Sequence, residues 1–381
     1  MNALDLLPRL PLLALLGMAG AAAIYQILTI AAGLRHRLRA PVPPPAHWPG
    51  ISVLKPLRGL DHGLRDALES FASQDYPEFE MLFAVADPQD PALPVIRERM
   101  AAHPERPSRL LVIEPDLPNW KVAKLAAMEA VARHPVVLIS DADIRVPPGY
   151  LRAVAAHLSQ PGVGLVTALY RARSESFPGR WEALGISTDF SPSALVGRFI
   201  GVSEFALGST MALSRDLLHA LGGCRALGNY IADDYHLGRL VQSQGLRIAV
   251  LQEPVETALS GESWGEVWRH QLRWARTIRA SRPDGYAGLP VTSASLWGLL
   301  LLATPYWPWG LALLVLRMAA GAWLARTVLH DPLPWTMLLL QPFRDLWAFA
   351  IWICGFAGRT VVWRGQRIRL NRHGLIVRVD S

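Results

Sequence analysis

From Leu10 to Leu34 the chain carries no charged residue, 25 positions in a row, and about 20 apolar residues are enough for a helix to cross a bilayer. A cleaved signal peptide would carry its positive charge ahead of the apolar run. Here Arg35, Arg37 and Arg39 follow it, so residues 1–39 are expected to be a spanning anchor. By the positive-inside rule that cluster keeps the next domain in the cytoplasm, which for a bacterial chain means the inner face of the cytoplasmic membrane. The segment "APVPPPAHWPG", residues 40–50, then reads as a stiff extended linker.

The far end is apolar again. Gly285–Leu316 is uncharged and is interrupted by "PYWPWG", and Pro332–Gly358 carries only the adjacent Arg344 and Asp345. Residues 285–358 are therefore expected to form a C-terminal membrane region. Residues 359–381 form a basic tail that returns to the cytoplasm after an even number of crossings: two spans, or a hairpin folded at the Pro-Trp turn plus a segment lying in the interface. Hydrophobic residues make up 51% of the chain and charged residues 18%, with a net charge of +7. That balance suits anionic lipid or a phosphorylated substrate. Nucleic acid is discounted as a partner because the basic residues sit beside the apolar segments. Cys224 and Cys354 lie far apart and have no disulfide or metal-ligand spacing.

Between these ends short apolar runs alternate with amphipathic patterns. Strands are expected at 51–55, 80–86, 109–114, 136–140 and 162–170, with helices such as "NWKVAKLAAMEAVARH" between them. Strands buried on both faces and spaced by helices indicate an α/β fold with a mostly parallel sheet and crossover helices. Ligands of such a sheet bind beyond the carboxyl ends of the strands.

Carboxylates stand at those ends. Asp87 follows the second strand, and "SDADIRV" puts Asp141 and Asp143 two apart behind the fourth. Alternate residues of an extended chain point the same way. Two hard oxygen donors beside a diphosphate suit Mg²⁺ or Mn²⁺, although a lone strand-end Asp equally caps a turn. Asp233 and Asp234 open a helical pattern, a place where acids also favour the helix dipole. Gly208, Ser209 and Thr210 allow close approach of the backbone by a ligand.

In residues 263–284, Trp264, Val267, Trp268, Gln271, Trp274, Ala275 and Ile278 recur at helical spacing, with Arg269, His270, Arg273, Arg276 and Arg279 on the other sides. An amphipathic helix with tryptophans on one face and arginines on the other lies naturally among lipid headgroups.

The order of these motifs resembles the ceramide glucosyltransferase family. "SVLKPLRGLD" is similar to its opening strand and loop, Asp87 in "ADP" to its first aspartate motif, Asp141 to its second and Asp234 in "ADDYHLG" to its third. "HQLRW", residues 270–274, occupies the place of the family's Gln/Arg-X-X-Arg-Trp signature, and "VVWRGQRIRL" that of its basic tail. His270 departs from the signature, and Asp143 replaces the glycine of the animal enzymes' Asp-Ser-Gly.

The resemblance implies a GT-A nucleotide-sugar-binding domain over residues 51–262 and an inverting, UDP-sugar-dependent transfer to a hydroxyl of a lipid acceptor, hopanoid or ceramide-like. Asp87 would hold the nucleotide, Asp141 and Asp143 a divalent cation, and Asp234 would be the general base. Arg273, with His270 and Trp274, would close over the diphosphate, and Lys121 and Lys124 are further candidates for donor contacts. The sequence looks most like the hopanoid-associated bacterial branch, which implies transfer of N-acetylglucosamine to bacteriohopanetetrol. A processive polysaccharide synthase and a nonenzymatic membrane scaffold are the alternatives.

Overall fold

The structure is a computed structural model that describes residues 10–260, 263–363 and 366–380. Residues 1–9 of the expected anchor and residues 364–365 of the tail motif lie outside the described residues. The chain divides into two compact units. One comprises Ala40–Ser174, Val202–Ser260 and Arg359–Ser381; the other comprises Met1–Arg39, Glu175–Gly201 and Gly261–Gly358.

The first unit is built on an eight-stranded sheet. Its strands are β1 (Ile51–Pro56), β2 (Phe79–Val85), β3 (Ser108–Val112), β4 (Val136–Ile139), β5 (Ile144–Arg145), β6 (Val163–Arg173), β7 (Met211–Ser214) and β8 (Arg247–Ala258), in the order β3-β2-β1-β4-β7-β6-β8-β5. All five expected strands are present, and β3-β2-β1-β4 is parallel. The sheet as a whole is mixed, because β7 runs antiparallel to both β4 and β6.

Three strands escaped the periodicity for physical reasons, and the first, β5, is only the pair Ile144–Arg145. β7 is only four residues of "MALS". In β8 the stretch Gln252–Pro254 breaks the alternation, and the structure absorbs it as a register shift opposite β6. Strand alternation builds a core on each side of the sheet. Ile51, Val53, Phe83 and Leu138 enter one core, and Leu54, Leu82, Val137 and Ile139 the other. Each such side chain, fully withdrawn from water, contributes roughly 1.5–3 kcal/mol.

The basic tail folds into a three-stranded antiparallel sheet of β9 (Thr360–Trp363), β10 (Gln366–Leu370) and β11 (Ile376–Asp380). Along β10 the side chains of Gln366, Ile368 and Leu370 are buried while Arg367 and Arg369 are exposed, the pattern of a half-buried strand. The N–H of Ile376 donates to the carbonyl of Asn229 at 2.8 Å, and Tyr230 pairs with Leu375.

The second unit is helical. Leu10–Arg37 forms one helix, and among the described residues three segments are long and apolar enough to cross a membrane: Pro11–Arg37, Pro283–Leu302 and Trp307–Thr327. Ala19 and Ala22 of the first pack with Ala294, Leu301 and Leu313 of the others, small residues letting helices approach closely. The helix Gln341–Gly355, at 15 residues, is shorter than a perpendicular crossing needs.

Candidate active site

Lys55 explains how the end of β1 shapes the site. It is fully buried, and its ammonium donates to the carbonyl of Asp141 at 2.9 Å, to that of Ile144 at 3.3 Å and to the hydroxyl of Ser140 at 3.3 Å. Its ammonium also lies 3.9 Å from the ring centroid of Phe71. Burial pulls its pKa down to about 7, against the opposing charges of Asp143 and Asp141. These bonds pin the chain just after β4 into a turn, in which the N–H of Ile144 donates to Asp141.

The two carboxylates of "SDADIRV" therefore stand on a turn and not on extended strand, which corrects the geometry expected for them. They remain within electrostatic range of each other. Oδ2 of Asp143 accepts the Thr257 hydroxyl at 2.6 Å, and Thr257 is delivered there by the pairing of Ile144 with Thr257 between β5 and β8. Burial raises the Asp143 pKa, and the neighbouring charges of Asp141 and then Asp61 raise it further. Asp61, in the loop after β1, was not singled out from the sequence.

The third aspartate motif arrives from another direction. Asn119 caps the helix Trp120–Val131 by accepting from the N–H groups of Lys121 and Val122, and its amide donates to the carbonyl of Tyr230 at 2.8 Å. One side chain thus joins the start of the Lys121 helix to the loop that launches the helix Asp233–Ser243. That second helix lies so tightly on the 205–206 backbone that a Cβ on Gly238 would come 2.7 Å from the N of Ala206.

Lys121 occupies the meeting point. Its ammonium lies 2.9 Å from Oδ1 of Asp141 and 3.1 Å from Oδ2 of Asp233. Burial alone would lower its pKa, but the charges of Asp141 and Asp233 outweigh that and hold it above the usual lysine range. Asp234 is half-buried and accepts from the N–H of Gly208 at 3.1 Å and of Tyr235 at 2.7 Å. Burial, then the charge of Asp233, lifts its pKa to about 6. A Cβ on Gly208 would lie 3.3 Å from Oδ2 of Asp141, 3.4 Å from Oδ2 of Asp234 and 3.6 Å from Nζ of Lys121. The second and third motifs therefore converge on the bare backbone of one glycine.

Other expected residues stand apart from that cluster. Asp87 is exposed after β2 and accepts from the N–H of Gln89 at 2.8 Å. Its buried neighbour Asp90 holds the loop after β1, accepting from Gly59 with both oxygens and from Ala92. Lys124 is buried and donates to the carbonyl of Leu57 at 2.6 Å, which ties its ammonium to the same loop. Asp90 and Lys124 brace that loop from two sides.

His270, Arg273 and Trp274 lie on the helix Trp264–Ser281 of the helical unit, which opens with a Ser263–Glu266 capping box. Val267, Gln271 and Ala275 form its buried stripe. His270 Nδ1 lies 2.6 Å from the buried carboxylate of Glu182, and its ring packs edge-on against Trp274 at 4.7 Å. Arg276 donates to the carbonyl of Ala357, and Arg279 to those of Phe356 and Gly358. These two members of the arginine face serve the carboxyl end of the helix Gln341–Gly355, where orphan carbonyls and the helix dipole attract cations. Arg273 is half-buried.

The fit to a divalent cation is partial and chemically sensible. Among the described residues no group of three His, Cys, Asp or Glu side chains forms a closed metal cage. Asp141 and Asp143 are hard oxygen donors; burial and then the charge of Asp141 raise the Asp143 pKa, a cost that a bound cation would relieve. Mg²⁺ and Mn²⁺ sites characteristically take one or two carboxylates and complete their shell with phosphate oxygens and water.

Comparison with known proteins decides the class. The family model "Glycosyl transferase family 21" matches residues 14–376. The chain belongs to glycosyl transferase family 21. It is therefore an enzyme, a glycosyltransferase, and the UDP-sugar dependence of the family goes with the assignment. It is 28% identical over 361 residues to ceramide glucosyltransferase 1 of Caenorhabditis elegans, covering 90% of this chain and 76% of that one. It is 24% identical over 306 residues to an N-acetylglucosaminyltransferase of Rhizobium meliloti, covering 77% and 69%. A mannosyltransferase of Pyrobaculum calidifontis, solved with GDP-Man and Mn²⁺, superimposes with a TM-score of 0.53 at 19% identity over 89% of this chain and 97% of that one. That likeness confirms the GT-A-like fold of this family 21 member.

Proposed function

We propose that this family 21 enzyme transfers a sugar, with N-acetylglucosamine favoured, from a UDP-sugar to a hydroxyl of a membrane lipid, with a hopanoid polyol favoured. The observation that carries the reading is the convergence of Asp141, Asp234 and Lys121 on Gly208, with Asp143 on the adjoining turn. Asp234 is the general base. Its carboxylate, held near a pKa of about 6, is ionised at neutral pH and is basic enough to take the acceptor hydroxyl proton as the sugar–oxygen bond forms. The hydroxyl attacks in a single displacement, so the sugar carbon inverts.

Asp141 and Asp143 hold a divalent cation, which when bound neutralises charge on the leaving diphosphate. Lys121 pairs with Asp141 and Asp233 and offers its ammonium to the donor, Asp87 meets the nucleotide, and Lys124 supports the loop after β1. Arg273 serves the diphosphate with a planar guanidinium fork, with His270 and Trp274 shaping its surroundings. The enzyme works on the cytoplasmic side of a bacterial inner membrane, an orientation supported by Arg35, Arg37 and Arg39 behind the first apolar helix.

The Rhizobium meliloti relative favours the amino sugar, and the ceramide glucosyltransferase relative favours a ceramide-like acceptor as the second reading. The test is to incubate membranes bearing the enzyme with labelled UDP-glucose or UDP-N-acetylglucosamine and either hopanoid or ceramide acceptors, followed by mass analysis of the lipid. An N-acetylglucosaminyl hopanoid is the expected product. Glucosylceramide would establish the second reading, and a long polymer would refute both.

A further inference from the structure

Charged groups inside a unit of membrane helices are expensive and have to be accounted for one by one. Arg317, at the middle of the apolar helix Trp307–Thr327, is buried and forked onto Asp345, with Nε–Oδ2 at 2.9 Å and Nη2–Oδ1 at 2.8 Å, while Nη1 donates to Gln341 at 3.0 Å. Ser295 donates to the same carboxylate. That group is satisfied.

Its neighbours are not. Arg344 is 7% exposed; its Nε donates to the carbonyl of Trp181 at 3.2 Å, but its Nη1 is buried without an acceptor. The guanidinium lies against Gly185, where an added Cβ would come 2.1 Å from Nη2. The chain beyond Gly185 widens into a π-helical turn, Ile186–Phe190, a local irregularity that recurs at functional sites. Asp189 of that turn is exposed and its carboxylate makes no hydrogen bond or ion pair among the described residues, although it stands within electrostatic range of Asp345, Arg317 and Arg344. Tyr25 of the first apolar helix is within range of Asp189, Arg317 and Asp345.

We propose that Asp189, Arg344 and Tyr25 form the subsite that receives the polar head of the acceptor lipid. The site offers an open carboxylate and a buried guanidinium N–H that lacks an acceptor. A hydroxyl or amide carries both the donor that the first lacks and the acceptor that the second lacks. Arg317 and Arg344 face Asp345 and Asp189, and Glu182, the third carboxylate within range of Arg344, is engaged by His270 at 2.6 Å. A neutral, hydroxylated head therefore fits better than a phosphate, whose negative charge would stand beside the carboxylates of Asp189, Asp345 and Glu182. The surrounding apolar helices suit the lipid's hydrocarbon. This deepens the proposed function and rests on its reading of the acceptor as a lipid.

The test uses the full chain in nanodiscs with a diazirine-bearing ceramide as the probe, photolysed and mapped by peptide mass analysis, alongside transfer assays on the same samples. The expected adducts fall in the peptides holding residues 186–190 or 341–345 and are competed by a neutral polyol lipid but not by phosphatidic acid. Asp189→Leu, at an exposed position, is expected to cut labelling about tenfold or more, the loss of a charged hydrogen bond. It should raise KM for the lipid by a similar factor with KM for the UDP-sugar unchanged, and Asp189→Asn, which keeps a polar head, should lose less. Equal labelling of wild type and Asp189→Leu, adducts elsewhere, or a change in donor KM instead of lipid KM would overturn the subsite. Labelling that depends on Asp189 in a protein that transfers no sugar to any lipid would leave the subsite standing and refute the proposed function.

Discussion

The N–H of Gly208 donates to Oδ2 of Asp234 at 3.1 Å, so the residue that holds this carboxylate also separates it from Asp141. A methyl group there would press on both carboxylates at 3.3–3.4 Å and force shifts of a few tenths of an ångström. Gly208→Ala is expected to lower kcat/KM roughly ten- to a hundredfold, since small displacements of reacting groups are costly, with a stability change of only about 1 kcal/mol. Steady-state kinetics and a denaturant titration check both, and wild-type kinetics would show that the spacing at Gly208 does not control transfer.

The pH dependence follows from Asp234. Burial and Asp233 raise its pKa to about 6, and a general base acts deprotonated, so kcat/KM should climb with pH and level off above about 6. The charge of Lys121 acts in the opposite sense and lowers that pKa. Lys121→Met should therefore move the acid limb to higher pH. It also strands Asp141 and Asp233 without their cation, which costs about 3 kcal/mol of stability. An acid limb that stays in place in the variant would disconnect Asp234 from the titration.

Metal removal tests the Asp141–Asp143 turn. Activity should vanish after treatment with EDTA and return on titration with Mg²⁺ or Mn²⁺, and Asp143→Asn should raise the concentration of metal needed for half-maximal rate by tenfold or more, as loss of a ligand or its support does. Full activity in metal-free buffer would remove the cation from the account.

Two arginines on one helix should behave differently. Arg279→Ala removes a cation from the end of the helix Gln341–Gly355 and should cost about 1 kcal/mol or less, visible in thermal unfolding. Arg273→Lys keeps charge but loses the guanidinium fork, and should lower kcat by about tenfold or more with unfolding unchanged. If the two substitutions gave the same signature, Arg273 would be one more helix-capping residue.

Much of the fold was legible because strands buried on both faces and a 25-residue uncharged run are strong periodic signals. β5, β7 and β8 were not, since the first two are two and four residues long and the third is bent by Gln252–Pro254. The tail reads as basic in sequence because Arg367 and Arg369 alternate with buried residues of β10, a pattern too short to distinguish from disorder. In the site, Asp141, Asp234 and Lys121 were marked by position and motif. Lys55, Asp61, Asp90, Asn119 and Thr257 were missed, because their contacts join elements far apart in the chain. A cue existed for Asn119, which precedes a helical pattern as an N-cap should. The polar seam of Asp189 and Arg344 is invisible to motif reading, because its residues come from separate helices.

Asp234 is proposed to take the acceptor's proton where Asp141 and Lys121 converge with it on Gly208. The most direct measurement compares Asp234→Asn with wild type for UDP-sugar binding by calorimetry and for lipid glycosylation by product mass. Donor affinity within about threefold of wild type and turnover reduced by about 10²–10⁴ are expected. Loss of donor binding, with turnover per bound donor like that of wild type, would contradict it.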